Sequence, residues 1–103
     1  MTPNDITTIV DKVVELTKPR RVILFGSSAR GNTREDSDID LLVVVETGTH
    51  RRKTAQFLYR ELAPFGVPVD IVVATQDDID RYRNESGYIY ATALREGRTV
   101  YAA

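Results

Sequence analysis

The chain contains no cysteine, which excludes disulfide bridges and thiolate metal sites. It holds one histidine, His50, set between a loop and a basic run, a poor position for a metal ligand. No apolar run approaches the ~18 residues of a membrane span, and the opening MTPNDITTIV lacks the charged-then-apolar pattern of a secretion signal. Strong charge of one sign is missing as well, since 14 basic and 15 acidic residues leave a formal net charge of −1. Without a basic excess there is no global footprint for gripping a nucleic-acid backbone. These absences describe a soluble cytoplasmic protein, with no membrane segment and no role as a templated polymerase. At 103 residues the expectation is a single domain over 1–103, with one core and too little chain for a separate substrate-recognition domain.

What is present concentrates between Leu24 and Val44, LFGSSARGNTREDSDIDLLVV. Arg21 to Phe25 (RVILF) reads as a short buried strand, and Gly26 ends it at a tight turn or a close ligand approach. Ser27 and Ser28 follow with hydroxyls and exposed N–H groups, a combination that binds anions. Arg30 adds a positive charge whose planar fork suits phosphate oxygens. Ten residues separate Gly26-Ser27 from Asp38-Ile39-Asp40. Leu41 to Val45 (LLVVV) then has the uninterrupted apolar character of a buried strand. Side chains alternate along a strand, so Asp38 and Asp40 project from one face, about 7 Å apart at ~3.3 Å per residue. Like charges that close repel unless a cation lies between them. A divalent metal meets that need. A cap or solvated turn in NTREDSD accounts for Glu35 and Asp36 but leaves the strand-phased pair unexplained.

A third carboxylate falls in Val67 to Ala74 (VPVDIVVA), a further apolar strand that Asp70 interrupts where a core residue is expected. A buried lone carboxylate costs several kcal/mol unless it is paired or bound to metal, so Asp70 joins Asp38 and Asp40 as a candidate ligand. The competing description is a half-exposed edge-strand residue near Pro68.

The remainder reads as scaffold. Asn4 or Asp5 caps a first helix, with Ile6, Ile9, Val10, Val13 and Leu16 at helical spacing and Pro19 beyond its end. Glu46 to Thr49 form a loop. A helix from about His50 to Leu62 follows, carrying Ala55, Leu58 and Leu62 on one side, and Pro64 and Gly66 stop it. Its opening Arg51, Arg52 and Lys53 suit a solvated face better than a phosphate clamp. Asp77 and Asp78 resemble caps for a short helix, and Gly87 to Leu94 a final one. Tyr88, Tyr90 and Tyr101 serve equally well as a docking surface or as rings packed on the sheet. For the Gly-Ser turn, Asp38-x-Asp40 and Asp70 to converge, the first two strands must run antiparallel and the second and third must be parallel neighbours. The fold class is therefore α/β (α+β), a small mixed β-sheet with helices on at least one side.

The string GSSARG, its spacing to Asp38-x-Asp40 and the later Asp70 resemble the nucleotidyltransferase superfamily typified by DNA polymerase beta and kanamycin nucleotidyltransferase. In size the chain is similar to its minimal nucleotidyltransferase branch, often the antitoxin beside a HEPN-domain toxin. The closing EGRTVY (Glu96 to Tyr101) extends the resemblance over nearly the whole chain. The resemblance implies that Gly26 and Ser27 contact the nucleotide phosphates and that Asp38 and Asp40 ligate two magnesium ions. It also implies that Asp70 ligates the catalytic metal beside the attacking hydroxyl. All three aspartates would then be catalytic, with ATP as donor of AMP and a hydroxyl as acceptor, such as a tyrosine on the HEPN toxin. Many members carry Arg or Tyr where this chain has Ser28, which alters the shape of the triphosphate pocket. Two other functions compete: a non-catalytic antitoxin that binds its partner by contact alone, and an enzyme that nucleotidylates a small molecule such as an aminoglycoside.

Overall fold

The structure is a computed structural model that describes residues 3–26, 39–85 and 87–103. In chain order these form α1 (Pro3–Thr17), β1 (Arg21–Phe25), β2 (Ile39–Val45), α2 (Arg51–Leu62), a one-turn 3-10 helix (Ala63–Phe65), β3 (Val69–Thr75), α3 (Gln76–Tyr82), α4 (Ile89–Glu96) and β4 (Arg98–Ala102). The four strands make one mixed sheet in the order β3-β2-β1-β4. β1 is antiparallel to β2 and to β4, and β2 is parallel to β3. Both strand relations required for convergence are therefore present. β4 is an addition: Arg98–Ala102 is five residues long and nowhere fully buried, so its apolar signal is too weak to read without β1 beside it.

Helices cover both faces of the sheet. Ile39, Leu41, Val43 and Val45 of β2 face one way, into a core with Ile9, Val10 and Val13 of α1 and Leu58 and Leu62 of α2. Leu42 and Val44 face the other way, into a second cluster with Phe25, Ala74, Ile79 of α3, and Tyr90 and Ala93 of α4. A strand covered on both sides must be apolar at every position, and that is the physical origin of LLVVV.

The ends of the elements depart from expectation by a residue or two, with local causes. α1 begins at Pro3, so Asn4 and Asp5 lie within its first turn and are not its caps. Proline suits this place because its missing N–H has no helical partner there. α1 stops before Pro19 as expected, and Lys18 takes a left-handed conformation (φ 46°) while its N–H bonds the Val14 carbonyl at 2.9 Å. His50 is the cap of α2, its Nδ1 accepting from the Lys53 N–H at 3.2 Å. The third strand starts at Val69, after the proline. α3 is capped by a box in which Thr75 is the N-cap and Asp78 its reciprocal partner, while Asp77 takes no part in it. Thr75 Oγ1 accepts from the Asp78 N–H at 3.1 Å, and the Asp78 carboxylate accepts from the Thr75 N–H at 3.0 Å. The last helix runs from Ile89 to Glu96, shifted two residues on. Tyr90 is buried and Tyr101 packs against the first core, whereas Tyr88 stays exposed and stacks on Tyr82 at 4.4 Å between centroids. No helix among the described residues is long and apolar enough to cross a membrane.

Partial burial works against the charge of Asp78, but its two hydrogen bonds with Thr75 and the nearby Arg51 and Arg81 outweigh that. They hold its carboxyl below the ordinary aspartate range. A carboxyl with a lowered folded-state pKa stabilises the fold above its unfolded value, and that stability is lost as the pH falls through the folded value. Asp78→Asn is therefore expected to lower the unfolding free energy by about 1 kcal/mol at pH 7, the scale of a helix cap. Denaturant titrations from pH 7 down to pH 2 should show the gap between variant and wild type closing at the acid end.

Candidate active site

The strand register brings three of the predicted residues to one end of the sheet. Phe25 pairs with Asp40, so Gly26 leaves β1 directly beside Asp40, and Asp40 in turn pairs with Asp70. Neighbouring strands lie ~4.8 Å apart, and residues in register point to the same face. That face is the one carrying Leu42 and Val44, so the two carboxylates continue the α3/α4 side of the sheet beyond its last apolar residues.

Gly26 is required here on two counts. Its φ of +73° lies in the left-handed region, which costs an L-residue roughly 1–2 kcal/mol. A Cβ at Gly26 would also overlap the Asp40 carboxylate oxygen and approach its Cγ to 3.2 Å. The missing side chain thus makes room for Asp40.

Asp40 is half-buried and Asp70 is exposed, which corrects the expectation that Asp70 is a buried core carboxylate. Among the described residues β3 is an edge strand, and Asp70 is its second residue. Solvent reaches the side chain, so desolvation makes no demand for a partner. Its pairing with Asp40 is what marks Asp70. Asp38, Ser27, Ser28 and Arg30 lie outside the described residues, and no group of three or more His, Asp or Glu that would hold a metal occurs among the described ones.

As a donor set, Asp40 and Asp70 fit magnesium. Both carry hard carboxylate oxygens and stand in register on one face, the donor type magnesium takes alongside water and phosphate. The basic residues Arg51, Arg52 and Lys53 are exposed on the first turn of α2, which follows the far end of β2, and Arg51 pairs with Asp78 at 3.1 Å. They form a solvated helix face away from the carboxylates. One contact beside the site had no signal in the sequence: the Tyr59 hydroxyl of α2 accepts from the Ile71 N–H at 2.8 Å. Helical spacing shows which way a residue faces, but not that a strand edge lies within its reach.

A small mixed sheet that gathers a glycine turn and paired carboxylates at one end is the architecture of a nucleotidyl-transfer domain. The family model described as a nucleotidyltransferase domain matches residues 6–99, and the chain belongs to that family. It is 32% identical over 82 residues to the Methanocaldococcus jannaschii protein named "Putative protein adenylyltransferase MJ0604", a match covering 80% of this chain and 78% of the relative. A solved structure described as a "putative minimal nucleotidyltransferase" superposes with a TM-score of 0.61 at 32% identity, over 95% of each chain. A crystal structure of a toxin-antitoxin with AMP-PNP shares the fold, with a TM-score of 0.60 at 21% identity over all of this chain and 75% of that one.

The tight approach at Gly26 gives a direct test. Gly66 has a similar φ of +69° with nothing near its would-be Cβ, so Gly66→Ala should cost only the backbone strain of about 1–2 kcal/mol. Gly26→Ala should cost more, and Asp40→Ala in the same chain should recover the excess. Urea unfolding of the two single variants and the double variant measures that coupling.

Proposed function

We propose that this chain transfers AMP from ATP to a hydroxyl on a partner protein, a HEPN-type toxin tyrosine being the favoured acceptor, and that the modification makes it an antitoxin. The observation that carries this reading is the in-register pair Asp40 and Asp70 set against Gly26. The relative named as a protein adenylyltransferase supports the acceptor class, and the toxin-antitoxin fold neighbour with AMP-PNP supports the partner and the donor. In this reading residues 1–103 work as one domain in the cytoplasm.

Asp38, Asp40 and Asp70 would hold magnesium. Bound there, it would supply Lewis-acid polarisation and neutralise charge on the attacking and leaving oxygens. Gly26 leaves its turn open to a phosphate, while Ser27 and Ser28 offer hydrogen bonds and Arg30 a counter-charge to the triphosphate. Asp70, at the open edge of the sheet, meets the incoming acceptor. The acceptor oxygen bonds the α-phosphorus, the bond from that phosphorus to the bridging oxygen breaks, and pyrophosphate leaves with the electron pair. The Asp70 carboxylate takes the hydroxyl proton. Most of the rate enhancement in such a transfer comes from alignment and charge placement.

Incubation of the chain with labelled ATP, magnesium and a co-expressed HEPN-type neighbour should label the neighbour and raise its intact mass by whole AMP units. Asp40→Asn and Asp70→Asn should each reduce the rate by at least about a hundredfold, the scale of a lost general base. A ligand that binds only the folded state adds about 2.7 kcal/mol of stability at a hundredfold excess over Kd, and ATP with magnesium should raise the melting temperature more than ATP with EDTA does. Wild-type rates in both variants would sink the site assignment. Label found only on a small molecule would reject the protein acceptor, and stable complex formation without label would favour a binding antitoxin.

A further inference from the structure

Among the described residues, β3 borders β2 on one side and no strand on the other. The ladder between them opens with the Ile39 N–H donating to the Pro68 carbonyl at 3.0 Å. Backbone groups alternate in direction along a strand, so those of Asp70 face β2 and those of Ile71 face outward, where a missing strand would be. Tyr59 takes that strand's place. Its hydroxyl accepts from the Ile71 N–H at 2.8 Å and donates to the Ile71 carbonyl at 3.4 Å, the two roles a phenol can fill at once. Packing does not explain this placement, because Tyr59 is 45% exposed while its neighbour on α2, Leu58, is fully buried in the core.

The Ile71 nitrogen and the Asp70 carbonyl belong to one planar peptide unit. β2 holds that plane from inside through Asp70, and Tyr59 holds it from outside through Ile71. Clamped on both sides, the plane fixes the direction in which the Asp70 side chain leaves the backbone. An exposed carboxylate on an edge strand otherwise has the freest backbone in the sheet.

We infer that Tyr59 is a positioning residue for Asp70, its hydroxyl standing in for an absent strand and holding that carboxylate in register with Asp40. The inference rests on the proposed role of Asp70 in metal binding and transfer. Tyr59→Phe keeps the ring and removes the hydroxyl. In the full chain, amide exchange at Ile71 should quicken by about tenfold, the scale of one lost hydrogen bond, with Leu41 and Leu42 on β2 unchanged. Manganese added alone, as a magnesium probe, should bind about tenfold more weakly, as when an outer-shell partner is lost. The kcat for AMP transfer should fall while KM for ATP stays the same, a split that a general loss of stability does not produce.

Faster Ile71 exchange with unchanged manganese affinity and kcat would show that the hydroxyl only seals the sheet edge, and would overturn the inference. Unchanged Ile71 exchange would overturn it too. Asp70→Asn in parallel separates the two claims. If Asp70→Asn is inactive and Tyr59→Phe behaves as wild type, only the role of Tyr59 falls. If Asp70→Asn binds manganese and transfers AMP as wild type does, the proposed function falls and the positioning role falls with it.

Discussion

Everything at the candidate site depends on the register of β2 against its two neighbours. A strand displaced by one residue turns its whole side-chain set to the opposite face. Had β3 slipped by one, Asp70 would point toward α1 and α2 and Asp40 would have no carboxylate beside it. What prevents the slip is the apolar run that follows. Leu41 and Val43 stand opposite Ile71 and Val73 on one face, and Leu42 and Val44 opposite Val72 and Ala74 on the other. Both faces are packed, so either displacement would bury the wrong side chains on each of them. The core thus aligns two carboxylates that take no part in it.

The two ends of the sheet carry different chemistry for a related reason. At the end where β1 finishes and β2 begins, Asp40 is half-buried and Asp70 is exposed. The other end leads into α2 and α3, where side chains cap the helices: His50 on α2, and Thr75 with Asp78 on α3. The cations of the first turn of α2 belong to this second end. One of them, Arg51, is tied to Asp78, 27 residues further along. Polar groups there hold elements together, whereas at the first end Asp70 is exposed to solvent.

Openness at Asp70 also bears on the proposed reaction. A base that meets an acceptor presented by another protein has to be reachable, and an edge strand is reachable in a way that a central strand is not. The same exposure leaves the backbone of that strand held from one side, which a transfer depending on alignment does not tolerate. A tyrosine hydroxyl reaching from α2 supplies hold without cover. It occupies one outward-facing residue of the edge and leaves the carboxylate next to it accessible.

The elements that interact with their own neighbours in sequence were legible from the chain. β1 was readable over its full length because RVILF is bounded by charge on one side and by Gly26 on the other. The helical spacing of Ile9, Val10 and Val13, and of Leu58 and Leu62, identified the buried faces of α1 and α2. The strand directions followed from requiring Gly26, Asp40 and Asp70 to meet. Burial of Asp70 did not follow, because an aspartate within an apolar run reads the same whether its strand is central or at an edge. β4 and the true cap of α3 were also hidden. The first takes its order from pairing with β1, and the second from a threonine that also ends a strand. Alternating and helical periodicities, turn residues and the order of the motifs are local properties, and the sequence by itself determined those. Which strand lies at the edge, which carboxylate sits in solvent and which hydroxyl reaches the bare side of β3 were decided only by the tertiary structure. Each of these depends on what packs alongside, and chain spacing carries no record of that.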